Sequence, residues 1–317
     1  MPSPILYIVI PCYNEEDVLP ETLKRLTVKI RAMQCEGLIS SSSRIMFVND
    51  GSSDRTWEII CNNYNNNELV TGISLSRNRG HQNALLAGLM TAKDYADIVI
   101  SMDADLQDDI NVLDQFINEY INGAEIVYGV RSSRKKDSFF KRHTALIFYK
   151  LMRAMGVELV YNHADYRLMS KRVLSELENF TEVNLFLRGM IPLIGFKCSQ
   201  VPYVRDKCYA GDSKYPLKKM LFFAIDGITS CSVKPIRLIT SFGFFISGLS
   251  MLLLIWVIIG SLVNGDTVAG WPTLMVLISF FGGAQILCIG VVGEYVGKIY
   301  SESKRRPRYI IADKKIK

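Results

Sequence analysis

Five short apolar runs constrain this chain more than any other feature: Leu6–Ile10, Ile45–Val48, Val70–Leu75, Ile98–Met102 and Ile126–Val130. Each is rich in β-branched residues, and each is continuous. A strand with one wet face alternates apolar with polar; a strand buried on both faces does not. Between the runs lie Glu16–Met33, Thr56–Asn63, Gln82–Ala92 and Val112–Tyr120, long enough for crossover helices. The pattern predicts an α/β domain, with a mostly parallel sheet and helices on both faces. Ser40–Ser43 and Asn62–Asn67 read as loops, and no internal repeat is present.

Open sheets of this kind bind ligands beyond the carboxyl ends of their strands. Three polar motifs fall there. Pro11-Cys12-Tyr13-Asn14-Glu15-Glu16 follows the first run, Asn49-Asp50-Gly51-Ser52-Ser53-Asp54 the second, and Asp103-Ala104-Asp105-Leu106-Gln107-Asp108 the fourth. Their convergence on one edge predicts a single site.

Asp103 and Asp105, at a strand end, point to the same side, because side chains alternate with period two, and Gln107 adds a third oxygen on that parity. Such oxygens suit a hard divalent cation, Mg²⁺ or Mn²⁺, whose shell a diphosphate and water complete. The plain alternative is a pair of solvated loop acids. Asp50 can accept a hydrogen bond from a base N–H or a ribose hydroxyl, with Gly51 admitting close approach. Its alternative is a helix-capping loop, in which Ser53 or Asp54 is the cap. Tyr13 is a candidate to cover a base and Glu15 to accept from base or ribose; either could instead order the loop. Neither a Gly-x-Gly-x-x-Gly nor a Walker A sequence is present.

The last third differs. Ile236–Val263 and Trp271–Val292 are each long enough to cross a roughly 30 Å hydrocarbon core. The linker Asn264–Gly270 has no Lys or Arg, whereas Lys234, Arg237, Lys298 and Lys304–Arg308 flank the pair. The positive-inside rule then puts both ends in the cytoplasm. Leu217, Met220, Leu221, Ala224, Ile225 and Ile228 recur at helical spacing, as in an interfacial amphipathic helix or a buried one. The expected units are a catalytic domain over 1–210, the interfacial helix over 211–233, two spans over 234–297 and a basic cytoplasmic tail over 298–317. The net charge of +6 is modest and its densest run follows an apolar span, which argues for lipid headgroups and against nucleic acid. Seven cysteines without a Cys-x-x-Cys pair read as reduced thiols, and three scattered histidines argue against zinc. The N-terminus has no basic n-region and reads as a buried strand, so the first domain is expected to stay cytoplasmic.

These motifs occur in order with Leu-Ser-Arg-Asn-Arg-Gly-His-Gln-Asn-Ala-Leu at 75–85 and Asp165-Tyr-Arg-Leu-Met. Together they resemble the family-2 glycosyltransferases of GT-A fold. Within these the chain is similar to the bacterial bactoprenol-phosphate glucosyltransferases, relatives of dolichol-phosphate mannose synthase. The likeness spans almost the whole chain, to Gly293-Glu294-Tyr295. It implies that Pro11, Tyr13, Glu15, Asp50 and Asp103 hold a UDP-sugar, and that Asp103, Asp105 and Gln107 surround the metal and diphosphate. It implies that Arg131 and Arg134, with Arg205 and Lys214 further on, bind the acceptor phosphate, for which planar guanidinium groups are suited. Asp165 and Arg167 match an element near the reaction centre, making Asp103, Asp105 and Asp165 the catalytic set. A solvated loop and a structural ion pair are the respective alternatives for the last two pairs. The chain departs from the family at Cys208, where a second Arg is common between Arg205 and Lys214, and at Arg79, where an aromatic is common.

The implied reaction is inverting, metal-dependent transfer of a sugar, glucose first, onto undecaprenyl phosphate at the inner membrane. N-acetylhexosamine transfer is the alternative. A homo-oligomer and a downstream flippase or glycosyltransferase are the further expected partners. A processive synthase would need Gln-x-x-Arg-Trp, and none of Trp57, Trp256 and Trp271 follows an Arg. A non-enzymatic scaffold would be supported by loss of a metal-site Asp, and both are present.

Overall fold

The computed structural model describes residues 3–132, 155, 163–204, 232–246, 248, 252 and 270–317. The five apolar runs form β1 (Leu6–Cys12), β2 (Arg44–Asn49), β3 (Val70–Leu75), β4 (Ile98–Ser101) and β5 (Ile126–Arg131). Helices α1 (Leu19–Cys35), α2 (Thr56–Asn66), α3 (His81–Ala92) and α4 (Leu113–Ile121) connect them. Proline in its first turn opens α1, and Leu19, Leu23, Leu26, Ile30 and Met33 give it one buried stripe.

Beyond β5 the chain adds β6 (His163–Ser170), α5 (Lys171–Glu178), α6 (Leu187–Leu193), β7 (Cys198–Tyr203), α7 (Trp271–Ser303) and β8 (Ile311–Lys315). The eight strands form one sheet in the order β7-β5-β6-β4-β1-β2-β3-β8. The β1–β2, β1–β4, β2–β3 and β5–β7 pairs are parallel, and β6 and β8 pair antiparallel with their neighbours. The sheet is therefore mixed rather than mostly parallel, and GT-A-like. The sequence signal for β6 and β8 is weak because both carry charged residues, buried in β6 and at an edge in β8.

Both sheet faces are covered, as continuous apolar strands require. One face packs Leu6, Ile8, Ile10, Phe47 and Phe116 under α1, α2 and α4. The other packs Tyr7, Val9, Val48 and Ile73 under α3 and α5. Helix α3 lies so close that a Cβ on Gly88 would stand 2.6 Å from Val48 Cγ2.

Helix α7 holds a stretch, Phe280–Ser303, long and apolar enough to cross a membrane, and only 6% of that stretch is buried. Backbone over 234–246 is also helical. Tyr295 Oη donates to the carbonyl of Ser232 at 2.6 Å and ties the two segments together. The rest of the first expected span, its outer loop, and the amphipathic helix up to residue 231 lie outside the described residues. The final segment is not a free tail: β8 extends the sheet along β3, with Gly72 facing Lys315 and Ser74 facing Asp313.

Candidate active site

The loops after β1 and β2 are zipped together at the carboxyl edge. Asn14, at φ +56°, takes a hydrogen bond from Ser53 N at 2.9 Å and donates its own N–H to Ser52 Oγ at 3.0 Å. Glu15 N donates to Thr56 Oγ1 at 2.9 Å. Asp54 accepts from Thr56 N at 3.0 Å and Glu16 N at 3.1 Å, so it is the acid that caps the start of α2. Pro11 is buried inside β1 opposite Val48, and Tyr13 lies 48% exposed at the rim.

Asp50 is buried and accepts from the backbone N–H groups of Arg79 at 2.7 Å and Gly80 at 2.9 Å. Burial pushes its pKa up, against the pull of those two donors. It orders the 77–80 loop, the step into α3. That loop presses on Gly51 (φ +64°), where a Cβ would meet Asn78 N at 2.5 Å. Only glycine fits there.

Strand β4 ends at Ser101, so Asp103 and Asp105 stand in a turn, and Leu106 takes φ +56°. The period-two argument that aligned Gln107 with the two acids therefore does not apply. Gln107 is nearly buried, and its backbone N–H donates to Asp105 Oδ1 at 3.1 Å. The acids crowd one another. Burial, then Asp105 and Asp103, push the carboxyl of Glu15 up to about 6. Burial, then Asp103, do the same to Asp108, also to about 6.

Asp108 is buried beneath the turn. Its Oδ1 accepts from Tyr203 Oη at 2.6 Å, and its Oδ2 has no partner. Tyr203 pairs across the strands with Arg131, and its ring meets Tyr166 edge-on at 5.4 Å. Arg131 thus sits at the end of β5 beside these acids, with its Nε buried and unpartnered. Arg134, Arg205 and Lys214 lie outside the described residues, as does Cys208.

The antiparallel pairing of β4 with β6 sets Ser101 opposite Arg167. Beyond that pair, Asp165 in β6 and Asp103 in the turn after β4 both approach His81 at the carboxyl edge. His81 Nε2, at the start of α3, lies 3.4 Å from Asp165 Oδ2 and 3.7 Å from Asp103 Oδ1. Arg188 Nη2, on α6, donates to Asp165 Oδ2 at 2.8 Å, and the fully buried Arg167 donates to Oδ1. Burial alone would raise the Asp165 pKa; Arg188, His81 and Arg167 outweigh it and hold the carboxyl well below the usual range. Burial lowers the His81 pKa, but Asp165 and Asp103 win and raise it.

His81, Asp108, Arg188 and Tyr203 were not among the residues singled out by the sequence. His81 lies inside a recognisable motif, and Asp108 closes the Asp103–Asp108 one. Arg188 carries no local signal, since its partner is made only by the fold.

The chain is 55% identical over 309 residues to the uncharacterized glycosyltransferase YkoT of Bacillus subtilis, covering 98% of this chain and 91% of that one. It is 41% identical over 311 residues to the bactoprenol glucosyl transferase of Shigella phage SfV, covering 98% and 99%. Among solved structures, a Pyrobaculum calidifontis mannosyltransferase in complex with GDP-Man and Mn²⁺ superposes with TM-score 0.48 at 16% identity, over 90% of this chain and 87% of that one. The glycosyl transferase family 2 profile matches residues 7–178, which hold β1 to β6 and every acid of the site described above. The chain is a glycosyltransferase and belongs to glycosyl transferase family 2.

Proposed function

We propose that this enzyme moves a hexose, glucose first, from a UDP-sugar onto the phosphate of undecaprenyl phosphate, with inversion, at the cytoplasmic membrane face. The observation that carries the reading is the end-to-end likeness to a bactoprenol glucosyl transferase, which extends beyond the catalytic domain through the apolar helix α7.

The site chemistry supports it. Asp103 and Asp105 would hold Mg²⁺ or Mn²⁺ together with the donor diphosphate. Among the described residues no three His, Cys, Asp or Glu side chains form a complete metal cage. Mg²⁺ takes one or two carboxylates and completes its shell with phosphate and water, so the two acids would need the donor diphosphate to hold it. The raised carboxyls of Glu15 and Asp108 fit a cluster of acids that a cation would relieve. Bound there, the cation supplies charge neutralisation for the departing nucleoside diphosphate.

The protein's own groups do the positioning. Asp50 fixes the 77–80 loop as one wall of the nucleotide pocket. The N-terminus of α3 points its free N–H groups towards the same edge and favours anionic phosphate. Arg131 supplies a guanidinium for the acceptor phosphate. That monoester is largely ionised near neutral pH and needs no strong general base, so orientation and charge stabilisation do most of the work. Asp165, locked by Arg167, Arg188 and His81, fixes the geometry between donor and acceptor sides. Helix α7, paired with the preceding apolar segment as a two-span hairpin, would seat the domain on the lipid surface.

The full chain in detergent, given undecaprenyl phosphate and a panel of UDP-sugars, should form a lipid-phosphate-linked hexose from UDP-glucose. EDTA should stop the reaction reversibly. Transfer of none of the sugars, or transfer undiminished in chelator, would overturn the donor–acceptor pair or the cation respectively.

A further inference from the structure

A basic run after an apolar span reads as a solvated tail, but here it is bound to the catalytic domain at several points. Glu302, in the last turn of α7, is the first. Its carboxylate accepts from Val183 N at 2.8 Å, Asn184 N at 2.9 Å and Asn184 Nδ2 at 3.3 Å. Arg305, at φ +45°, then turns the chain back over the domain. The Arg308 guanidinium donates to the carbonyl of Phe180. Arg79 reaches out from the nucleotide loop: its Nε donates to Arg308 O and its Nη2 to Pro307 O, both at 2.7 Å. Ser76 N donates to Ile310 O at 2.9 Å, and β8 follows on β3.

Each anchor is one step from a different part of the site. Arg79 is the residue whose backbone N–H holds Asp50, and its loop is the one pressed on Gly51. Val183 and Asn184 lead into α6, where Arg188 holds Asp165. Gln82 Oε1, next to His81, accepts from Leu187 N at 2.9 Å and closes that corner. The helix end therefore grips the donor wall through Arg79 and the Asp165 centre through Glu302.

We propose that Arg79 and Glu302 are positioning residues that couple the membrane helix to the two halves of the active site. Arg79 sets the donor pocket, and Glu302 sets the Asp165 centre. Neither touches substrate. This rests on the reading of α7 as membrane-embedded: a domain seated on the membrane keeps the strap over 304–310 engaged, and the strap keeps residues 76–80 and 183–188 in place. It gives the Arg79 side chain a function distinct from that of its backbone N–H.

The two anchors predict a split. In the full chain in lipid nanodiscs, Arg79→Ala should weaken binding of UDP with Mg²⁺ about tenfold, the size of one lost charge-assisted hydrogen bond, with kcat near wild type. Glu302→Ala should lower kcat about tenfold with UDP affinity preserved. Amide hydrogen exchange should rise at 76–80 in the first variant and at 183–188 in the second. Arg79→Lys and Glu302→Gln keep part of each contact and should recover part of each loss; they also carry the test if an alanine variant does not fold. Wild-type affinity and exchange in the Arg79 variants, or wild-type kcat and exchange in the Glu302 variants, overturns the coupling. So does a parallel fall in both parameters in both variants, which is general destabilisation. If the wild-type protein transfers no sugar to a polyprenyl phosphate, the proposed reaction fails, while UDP binding and exchange still decide the coupling.

Discussion

On one side of the site, Glu15, Asp103, Asp105 and Asp108 lie in the loops beyond β1 and β4, and like charges are pressed together. On the other side, Asp165 draws its partners from His81, Arg167 and Arg188, on three separate elements, and opposite charges are matched around it. One side stores repulsion that a cation and an anionic ligand together can use. On the other, the Asp165 carboxylate is satisfied within the protein. The acids of the two sides thus differ in what surrounds them rather than in burial alone, since Asp108 is buried as well.

The sharpest way to break that comparison is to neutralise one acid on each side and follow stability. Asp165→Asn leaves Arg167 buried without its charge partner and takes a carboxylate away from Arg188. Breaking a buried pair in this way costs roughly 3–5 kcal/mol. Because the folded pKa of Asp165 is depressed, its contribution is present above the unfolded value of about 3.9 and is lost as pH falls through the folded one. The unfolding midpoint of the full chain in detergent at pH 7 should therefore drop clearly. A wild-type midpoint would mean that Asp165 is not the hub described.

The same asymmetry explains what the sequence could disclose. The five central strands and four helices were legible because burial on both faces writes a continuous apolar run. The donor acids were legible because each follows such a run directly. Strand parity failed at Gln107 because β4 stops at Ser101 and the chain turns through Leu106. Arg188 and Tyr203 were silent, since their meaning comes from pairing across the sheet and from α6. Ile311–Lys315 was silent for a related reason: an edge strand of alternating charge resembles a tail until β3 is there to receive it.

Asp105→Asn tests the donor side. Removing a carboxylate that would hold the cation against the leaving diphosphate should cut transfer by roughly 10²–10³-fold. The midpoint should hold or rise, because one of the repelling charges is gone, and the Glu15 pKa should fall from its raised position. The expected signs are opposite to those for Asp165→Asn: activity lost and stability kept. Undiminished turnover, or a midpoint as low as that of the Asp165 variant, would collapse the distinction between the two sides.

Glu15 gives the smallest effect and the finest test. Its folded pKa of about 6 lies above the unfolded value, chiefly through burial and next through Asp105 and Asp103. A raised folded pKa means that the folded state binds the proton more tightly. Its stabilising contribution is complete below the unfolded value and is lost as pH rises through about 6. Above that pH the folded protein carries an ionised, half-buried carboxylate beside two others. The full shift corresponds to about 2 kcal/mol, which screening at a partly exposed site reduces to about 1 kcal/mol. Glu15→Gln should therefore nearly match wild type in midpoint at pH 4.5 and below and exceed it by a few degrees at pH 7.5, with most of the gap opening between pH 4.5 and about 6. Mg²⁺ with UDP should narrow the gap, because a cation between Asp103 and Asp105 offsets the repulsion that Glu15 feels. Parallel midpoint curves for the two proteins across that range would show that the acids at the donor edge do not interact, and the case for a cation held by them would lose its electrostatic basis.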